Sequence, residues 1–239
     1  MRGALAAGRV GAGAVSTQPP FLDRLAEADR RVLVDRLSVR TYQRNESIIE
    51  LADGGVDVFF VLEGRAQVII YSSEGKVVGY RAIGPGDIFG ELAAIDGRPR
   101  SASVVAQERS RVGRLGRAAF RELVESANGL AWVMMEHLST QIRNLTGRIF
   151  EYSTLVVRER VVREILRLAE NGGAGADGGN QARIHPAPTH SDLAAQISTH
   201  REAVSREMSA LSKRGLIEKR AGALILHDLA ALRALCPED

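Results

Sequence analysis

Phe89-Gly90-Glu91-Leu92-Ala93-Ala94-Ile95-Asp96-Gly97-Arg98-Pro99-Arg100-Ser101-Ala102-Ser103-Val104 is the segment around which the rest of the chain arranges itself. Gly90 has no Cβ, so the backbone can turn sharply there and come close to a ligand. Glu91-Leu92-Ala93-Ala94 has the composition of a short helical turn, and the free N–H groups at its start could face a phosphate. Arg100 adds a charged fork suited to phosphate oxygens. Glu91 is the wrong charge for a phosphate, but an ionised carboxylate only accepts hydrogen bonds and suits a sugar hydroxyl. The pair fits a small anion that carries a sugar.

Working outward, the flanks read as strands. Ile48-Ile49, Val58 to Leu62, Ala66 to Ile70 and Val77 to Tyr80 are short β-type runs. Asp53-Gly54-Gly55, Glu63-Gly64-Arg65 and Ser72 to Gly75 separate them. Ser103 to Ala106 and Ser110 to Leu115 read as closing strands, Ala118 to Val124 as a helix, and Phe21 to Leu37 as a helical lead-in. Closely spaced short strands with glycine turns predict a compact β-roll. A β-roll can also be a metalloenzyme holding its ion with strand histidines. Here His137, His185, His190, His200 and His227 all lie outside the β region, so that class is excluded, no metal site is expected and no catalytic constellation can be grouped.

The composition is that of an ordinary globular chain: 239 residues, 45% hydrophobic and 26% charged. A net charge of +3 is too small to establish a nucleic-acid partner, although the pI of about 9.3 leans that way. The lone cysteine, Cys236, fits a reducing compartment and rules out an iron–sulfur cluster held by several cysteines. No apolar run reaches membrane-span length, and Arg9 with the surrounding glycines breaks the only stretch resembling a signal peptide. Residues 1–20 read as a disordered tail of a cytoplasmic protein, or as the mark of a start codon placed too far upstream.

Beyond the roll lies the longest helical pattern. Met135, Leu138, Ile142, Leu145, Ile149, Tyr152 and Val156 are spaced 3, 4, 3, 4, 3, 4, a heptad seam that predicts a helix pairing with its own copy in a parallel homodimer. A fresh amphipathic helix starts at Arg158, which places a hinge just before it, and Asn171 to Asn180 reads as a glycine-rich loop.

Thr189 then caps a helix containing Leu193 and Ile197, Ser198-Thr199-His200 makes a turn, and a second helix from Arg201 buries Val204, Met208 and Leu211. This is a helix-turn-helix pattern. Arg201, Glu202 and Arg206 project from the first turns of the second helix, where arginine can fork onto guanine and glutamate can accept from cytosine. Thr189, His190, Thr199, His200 and Lys213 suit backbone phosphates. Leu216 to Lys219 and Leu224 to Leu226 form a hairpin wing bearing Lys219 and Arg220, and Asp228 caps a last short helix.

Gly84-Pro85-Gly86-Asp87, Gly90-Glu91-Leu92 and Arg100-Ser101-Ala102 resemble the phosphate-binding cassette of cyclic nucleotide-binding domains, and Phe21 to Leu235 resembles the bacterial Crp-Fnr regulators. The resemblance implies that Glu91 holds the ribose 2′-hydroxyl and Arg100 the cyclic phosphate, with Ser101 in a weaker phosphate role. It also implies that Thr146 contacts the base, with Asn144 as the second candidate. The arginine, glutamate and arginine of the recognition helix match Arg201, Glu202 and Arg206, which implies an inverted repeat with TGTGA-like half-sites. RNA polymerase is the implied protein partner. Ser198 departs from the family pattern, standing where glycine is common.

The expected architecture is α+β: a tail (1–20), a β-roll that binds the allosteric ligand (21–130), a dimerisation helix with its hinge (131–157) and a winged helix-turn-helix (158–239). The expected ligand is cyclic AMP. Cyclic GMP, or a vestigial cassette on a regulator that binds DNA without nucleotide, is the alternative.

Overall fold

A computed structural model of the chain describes residues 19–71, 77–126, 128–171 and 179–236. Residues 1–18 of the expected tail, the Ser72 to Gly75 turn and most of the glycine-rich stretch expected from sequence lie outside the described residues. Contacts divide the chain into two compact units, Gln18–Thr140 and Gln141–Asp239, with the boundary inside the longest helix.

The first unit begins with a 3-10 turn, Phe21–Arg24, and helix α1, Glu27–Asp35. Eight strands follow: β1 Ser38–Tyr42, β2 Ser47–Ile49, β3 Val58–Glu63, β4 Ala66–Tyr71, β5 Val77–Ile83, β6 Ile88–Phe89, β7 Ser103–Ala106 and β8 Ser110–Leu115. Helix α2, Glu91–Asp96, lies between β6 and β7, and α3, Arg117–Ser126, follows β8. The strands form two antiparallel four-stranded sheets, ordered β1-β8-β3-β6 and β2-β7-β4-β5.

Strand β3 shows how the unit is layered. Its side chains alternate faces with period 2: Phe59 and Val61 join Ile49, Ile83, Phe89 and Val104 in the core between the sheets. Val58 and Phe60 face the other way, joining Phe21, Leu33, Phe120 and Leu130 in a second core under the helices. A strand buried on both faces reads as a continuous apolar run, as Val58-Phe59-Phe60-Val61-Leu62 does.

Helix α4 runs Asn128–Thr154, across the boundary between the units. In the first unit, Leu130, Val133 and Met134 are buried in the helical core and Leu138 packs against it. The second unit continues with α5 Val157–Asn171, β9 Ala182–Ile184, α6 His190–Gln196, α7 Arg201–Lys213, β10 Ile217–Arg220, β11 Ala223–Leu226 and α8 Leu229–Arg233. Its core joins Val161, Ile165, Leu193, Val204, Leu211 and Leu226 among others. The wing is a three-stranded sheet ordered β10-β11-β9, because β9 adds to the expected hairpin.

Two features of the expected seam differ from its sequence reading. Helix α4 ends at Thr154, so Val156 lies in the break before α5, where its N–H donates to Glu159 Oε2 at 3.1 Å. Leu138 contributes to the core of its own unit rather than lying wholly open. Met135, Ile142, Leu145, Ile149, Tyr152 and Val156 are all exposed.

Candidate functional site

The cassette is built by two left-handed glycines. Gly90 (φ 78°) starts α2 and Gly97 (φ 74°) ends it, so the chain rises from β6, makes a helix of six residues and returns towards β7. Gly90 supplies no side-chain cap to α2, which leaves the first N–H groups of the helix without one. The return brings Arg100 back beneath the start of α2. Its Nη1 donates to the Gly90 carbonyl and its Nη2 to the Asp57 carbonyl, both at 2.8 Å.

Arg100 is only 5% exposed, and its Nε is buried without a hydrogen-bond partner in the structure. The guanidinium lies 5.6 Å from the centre of the Phe59 ring. Burial pulls its pKa down, while Asp57, Asp53 and Glu91 pull it up. The backbone around it is fixed, since Arg100 N–H donates to the Asp53 carbonyl and Ala52 N–H to the Arg100 carbonyl, each at 3.0 Å. Next to the cassette, Leu51 N–H donates to Ser103 Oγ at 2.9 Å.

Glu91 is 7% exposed. Burial pushes its pKa above the usual carboxylate value, opposed by the Arg81 guanidinium, then by its own backbone N–H, then by Arg100. Arg81 sits on β5 and donates to the Ile88 carbonyl at 2.9 Å. Sequence reasoning passed over it, although a charge inside an otherwise apolar strand was the available signal. Ser101 is exposed, Ala102 half-buried and Leu92 exposed. Asn144 and Thr146 are exposed on α4 in the second unit, and Thr146 Oγ1 donates to the Ile142 carbonyl at 3.0 Å.

In the second unit, Thr189 and Asp192 form a reciprocal capping box at the start of α6. The Thr189 hydroxyl also donates to Asp192 Oδ2 at 2.7 Å, so it has a structural task besides the phosphate contact expected of it. Ser198 takes a left-handed conformation (φ 51°) in the turn, the geometry that favours glycine there. Val204, Met208 and Leu211 anchor α7 in the core. Its opposite face is open, and Arg201, Glu202, Ser205, Arg206 and Lys213 line one shallow concavity along it. Ser205, one turn beyond Arg201, was not anticipated. His200 is exposed, and His190 and Thr199 are half-buried. Lys219 and Arg220 are exposed on β10.

A charged cluster ties the elements of this unit together. Arg167 bridges Glu151 at 2.8 Å and also pairs with Glu164, while Arg148 reaches Glu164 at 3.8 Å and Arg163 reaches Glu151 at 3.9 Å. Glu164 and Glu151 are 2% and 8% exposed. Arg148 Nη1 and the Tyr152 hydroxyl both donate to the Gln196 carbonyl, at 2.9 and 2.7 Å, and Arg160 Nη1 donates to the Ile197 carbonyl at 2.9 Å. The end of α4 and the start of α5 therefore grip the C-terminus of α6 beside the turn into α7.

Residues 39–127 match the cyclic nucleotide-binding domain family, and residues 159–235 match the Crp-like helix-turn-helix domain family. The chain belongs to the Crp-Fnr family of transcription regulators. The cAMP-activated global transcriptional regulator Vfr of Pseudomonas aeruginosa is 26% identical over 194 residues, 78% of this chain and 88% of that one. The regulatory subunit of the cAMP-dependent protein kinase of Aspergillus fumigatus is 42% identical over 106 residues, 44% of this chain and 25% of its own length. The structure of the c-di-GMP responsive regulator CLP of Xanthomonas campestris superposes with a TM-score of 0.73 at 16% identity, covering 84% of this chain and 99% of that one, a likeness of fold.

Along this chain the cyclic nucleotide-binding domain precedes the Crp-like helix-turn-helix domain. Among the described residues, no helix is long and apolar enough to cross a membrane, and no group of three or more His, Cys, Asp and Glu could hold a metal ion.

Proposed function

We propose that the protein binds a cyclic nucleotide in the cassette and, as a homodimer, reads an inverted repeat of TGTGA-like half-sites through α7. The observation that carries this reading is the buried Arg100 with its unpartnered Nε, beside an α2 start that lacks a side-chain cap. A buried donor without a partner costs free energy that an anionic ligand can recover. In this reading Arg100 and the α2 N–H groups take the cyclic phosphate, Glu91 takes the ribose 2′-hydroxyl, and Ser101 adds a phosphate contact. Thr146, or Asn144, reaches the base.

The exposed residues Met135, Ile142, Leu145, Ile149 and Tyr152 support a helix seam closed by a second copy. Ligand binding then shifts the equilibrium between two arrangements of the paired recognition helices, to the extent that it binds one of them better. Cyclic AMP is the favoured ligand, because the matching relatives Vfr and the kinase regulatory subunit carry it in their names. A second reading is a regulator with a vestigial cassette or another effector. Two observations favour it: Arg100 already donates to two carbonyls, and the like-folded CLP responds to c-di-GMP. RNA polymerase is the proposed protein partner.

Calorimetric titration with cyclic AMP and cyclic GMP tests the ligand. Saturable binding of cyclic AMP that is lost in Arg100→Ala is expected. Silence towards both nucleotides would favour the second reading.

A further inference from the structure

The nucleotide domain contains a second guanidinium, half-buried, that the cassette motif does not include. Arg81 is on β5, in the sheet that does not contain β6, yet its Nη2 donates to the carbonyl of Ile88 at 2.9 Å. Ile88 begins the two-residue strand that runs directly into Gly90 and Glu91. The side chain therefore links the two sheets at the point where the cassette leaves the roll. Its charge acts on Glu91, Asp87 and His137.

We propose that Arg81 is a positioning residue of the nucleotide site, tying β5 to the strand that delivers the cassette and holding Glu91 as an ionised acceptor for a ligand hydroxyl. The proposal rests on the nucleotide reading given above. Glu91 is buried, and a carboxylate in such surroundings loses its proton only with charge support. Arg100 stands behind Arg81 in that support, and its two terminal nitrogens are engaged with the carbonyls of Gly90 and Asp57. Asp53 and Asp57 further divert its charge.

The remaining groups around the site fit the same division. Asp87 lies near Arg81 and is kept in the turn by accepting from Gly84 N–H at 2.9 Å, while burial raises its pKa. From α4, His137 packs edge-on against Phe21 at 5.7 Å. Burial, followed by Arg81 and Arg24, pushes its pKa down to about 4, so at neutral pH it is uncharged and does not compete for Glu91. From α3, Arg117 Nε donates to the Ala94 carbonyl at 2.8 Å, and its guanidinium lies beside Gly97 at the C-terminal end of α2.

The consequence is a pH dependence of ligand binding. Removing the Arg81 charge favours the protonated form of Glu91, so affinity is lost as the pH falls, at a higher pH than in the native protein. The test uses the full chain, with cyclic AMP and cyclic GMP titrated calorimetrically between pH 5.5 and 8.5. Arg81→Gln drops the charge and leaves an amide donor on a shorter side chain, whereas Arg81→Lys keeps the charge.

The expected result is an affinity ratio between pH 8.5 and 5.5 that is about tenfold larger in Arg81→Gln than in the native protein, and unchanged in Arg81→Lys. In the double variant Arg81→Gln/Glu91→Gln the added slope should vanish. Persistence of the slope there would assign it to Asp87 or His137 and overturn the proposal. An equal loss at every pH in both single variants would make Arg81 a purely structural link and also overturn it. A native protein that binds neither nucleotide at any pH would overturn the nucleotide reading itself, and with it this proposal.

Discussion

Gly90→Ala isolates the geometry on which the cassette depends. Gly90 has φ 78°, and a Cβ there would lie 2.8 Å from Arg100 Nη1, 3.1 Å from Ile49 Cδ1 and 3.2 Å from the Asp57 carbonyl oxygen. A left-handed alanine costs about 1–2 kcal/mol by itself. The closest clash is with the nitrogen that donates to the Gly90 carbonyl, so relief requires Arg100 to move. Losing that charge-assisted bond adds about 1.5–3 kcal/mol.

The sum, about 2.5–5 kcal/mol, falls on the nucleotide unit and displaces the group assigned to the phosphate. Scanning calorimetry with and without nucleotide reads the first effect, expected as a fall of at least about 8 °C in the transition that ligand shifts. Titration reads the second, expected as a loss of about tenfold or more. Gly84→Ala is the control, since a Cβ there meets nothing within 4 Å and φ is not left-handed. If Gly90→Ala melts and binds as Gly84→Ala does, the close approach between Gly90 and Arg100 is not what builds the site.

Two further substitutions test the second unit. Arg167→Met leaves Glu151 and Glu164 buried with their principal partner gone, and a loss of about 3–5 kcal/mol is expected by urea unfolding; a change below 1 kcal/mol would show that the cluster is dispensable. Ile149→Glu puts facing carboxylates into the proposed seam at a residue that is 65% exposed in a single chain. Sedimentation velocity should show dissociation, with a dimer Kd raised at least about a hundredfold; an unchanged dimer would move the interface elsewhere.

The parts of this protein that were legible in its sequence are those governed by short-range geometry. Gly90, Glu91 and Arg100 can be read together because a glycine, a single helical turn and a short return allow few arrangements. The doubly buried β3 announces itself as an unbroken apolar run, and α7 as Val204, Met208 and Leu211 at helical spacing. Strand β1, Ser-Val-Arg-Thr-Tyr, is mostly exposed and shows neither an apolar run nor clean alternation, which hid it. The three-residue β9 hid between glycines and prolines, and only its pairing with β11 makes it a strand.

Long-range electrostatics were the least legible. Arg148, Glu151, Arg163, Glu164 and Arg167 have the composition of a solvated helix face, and their burial depends on how α4 and α5 meet after the break at Leu155 and Val156. Arg81 shows in the sequence only as a charge in an apolar run, because its significance comes from a hydrogen bond to a strand of the other sheet and not from spacing along its own. The end of the seam at Thr154 has a local cause: Glu159 accepts from Val156 N–H and starts a new helix there.

The central claim is that nucleotide in the cassette governs DNA reading by α7. Fluorescence anisotropy of a labelled duplex carrying a TGTGA-like inverted repeat, measured with and without cyclic AMP at one stated salt concentration, tests it most directly. Tight binding is expected that requires the nucleotide, that Arg100→Ala abolishes, and that relaxes in base preference in Arg201→Ala. Equal affinity with and without nucleotide, unchanged in Arg100→Ala, would contradict it.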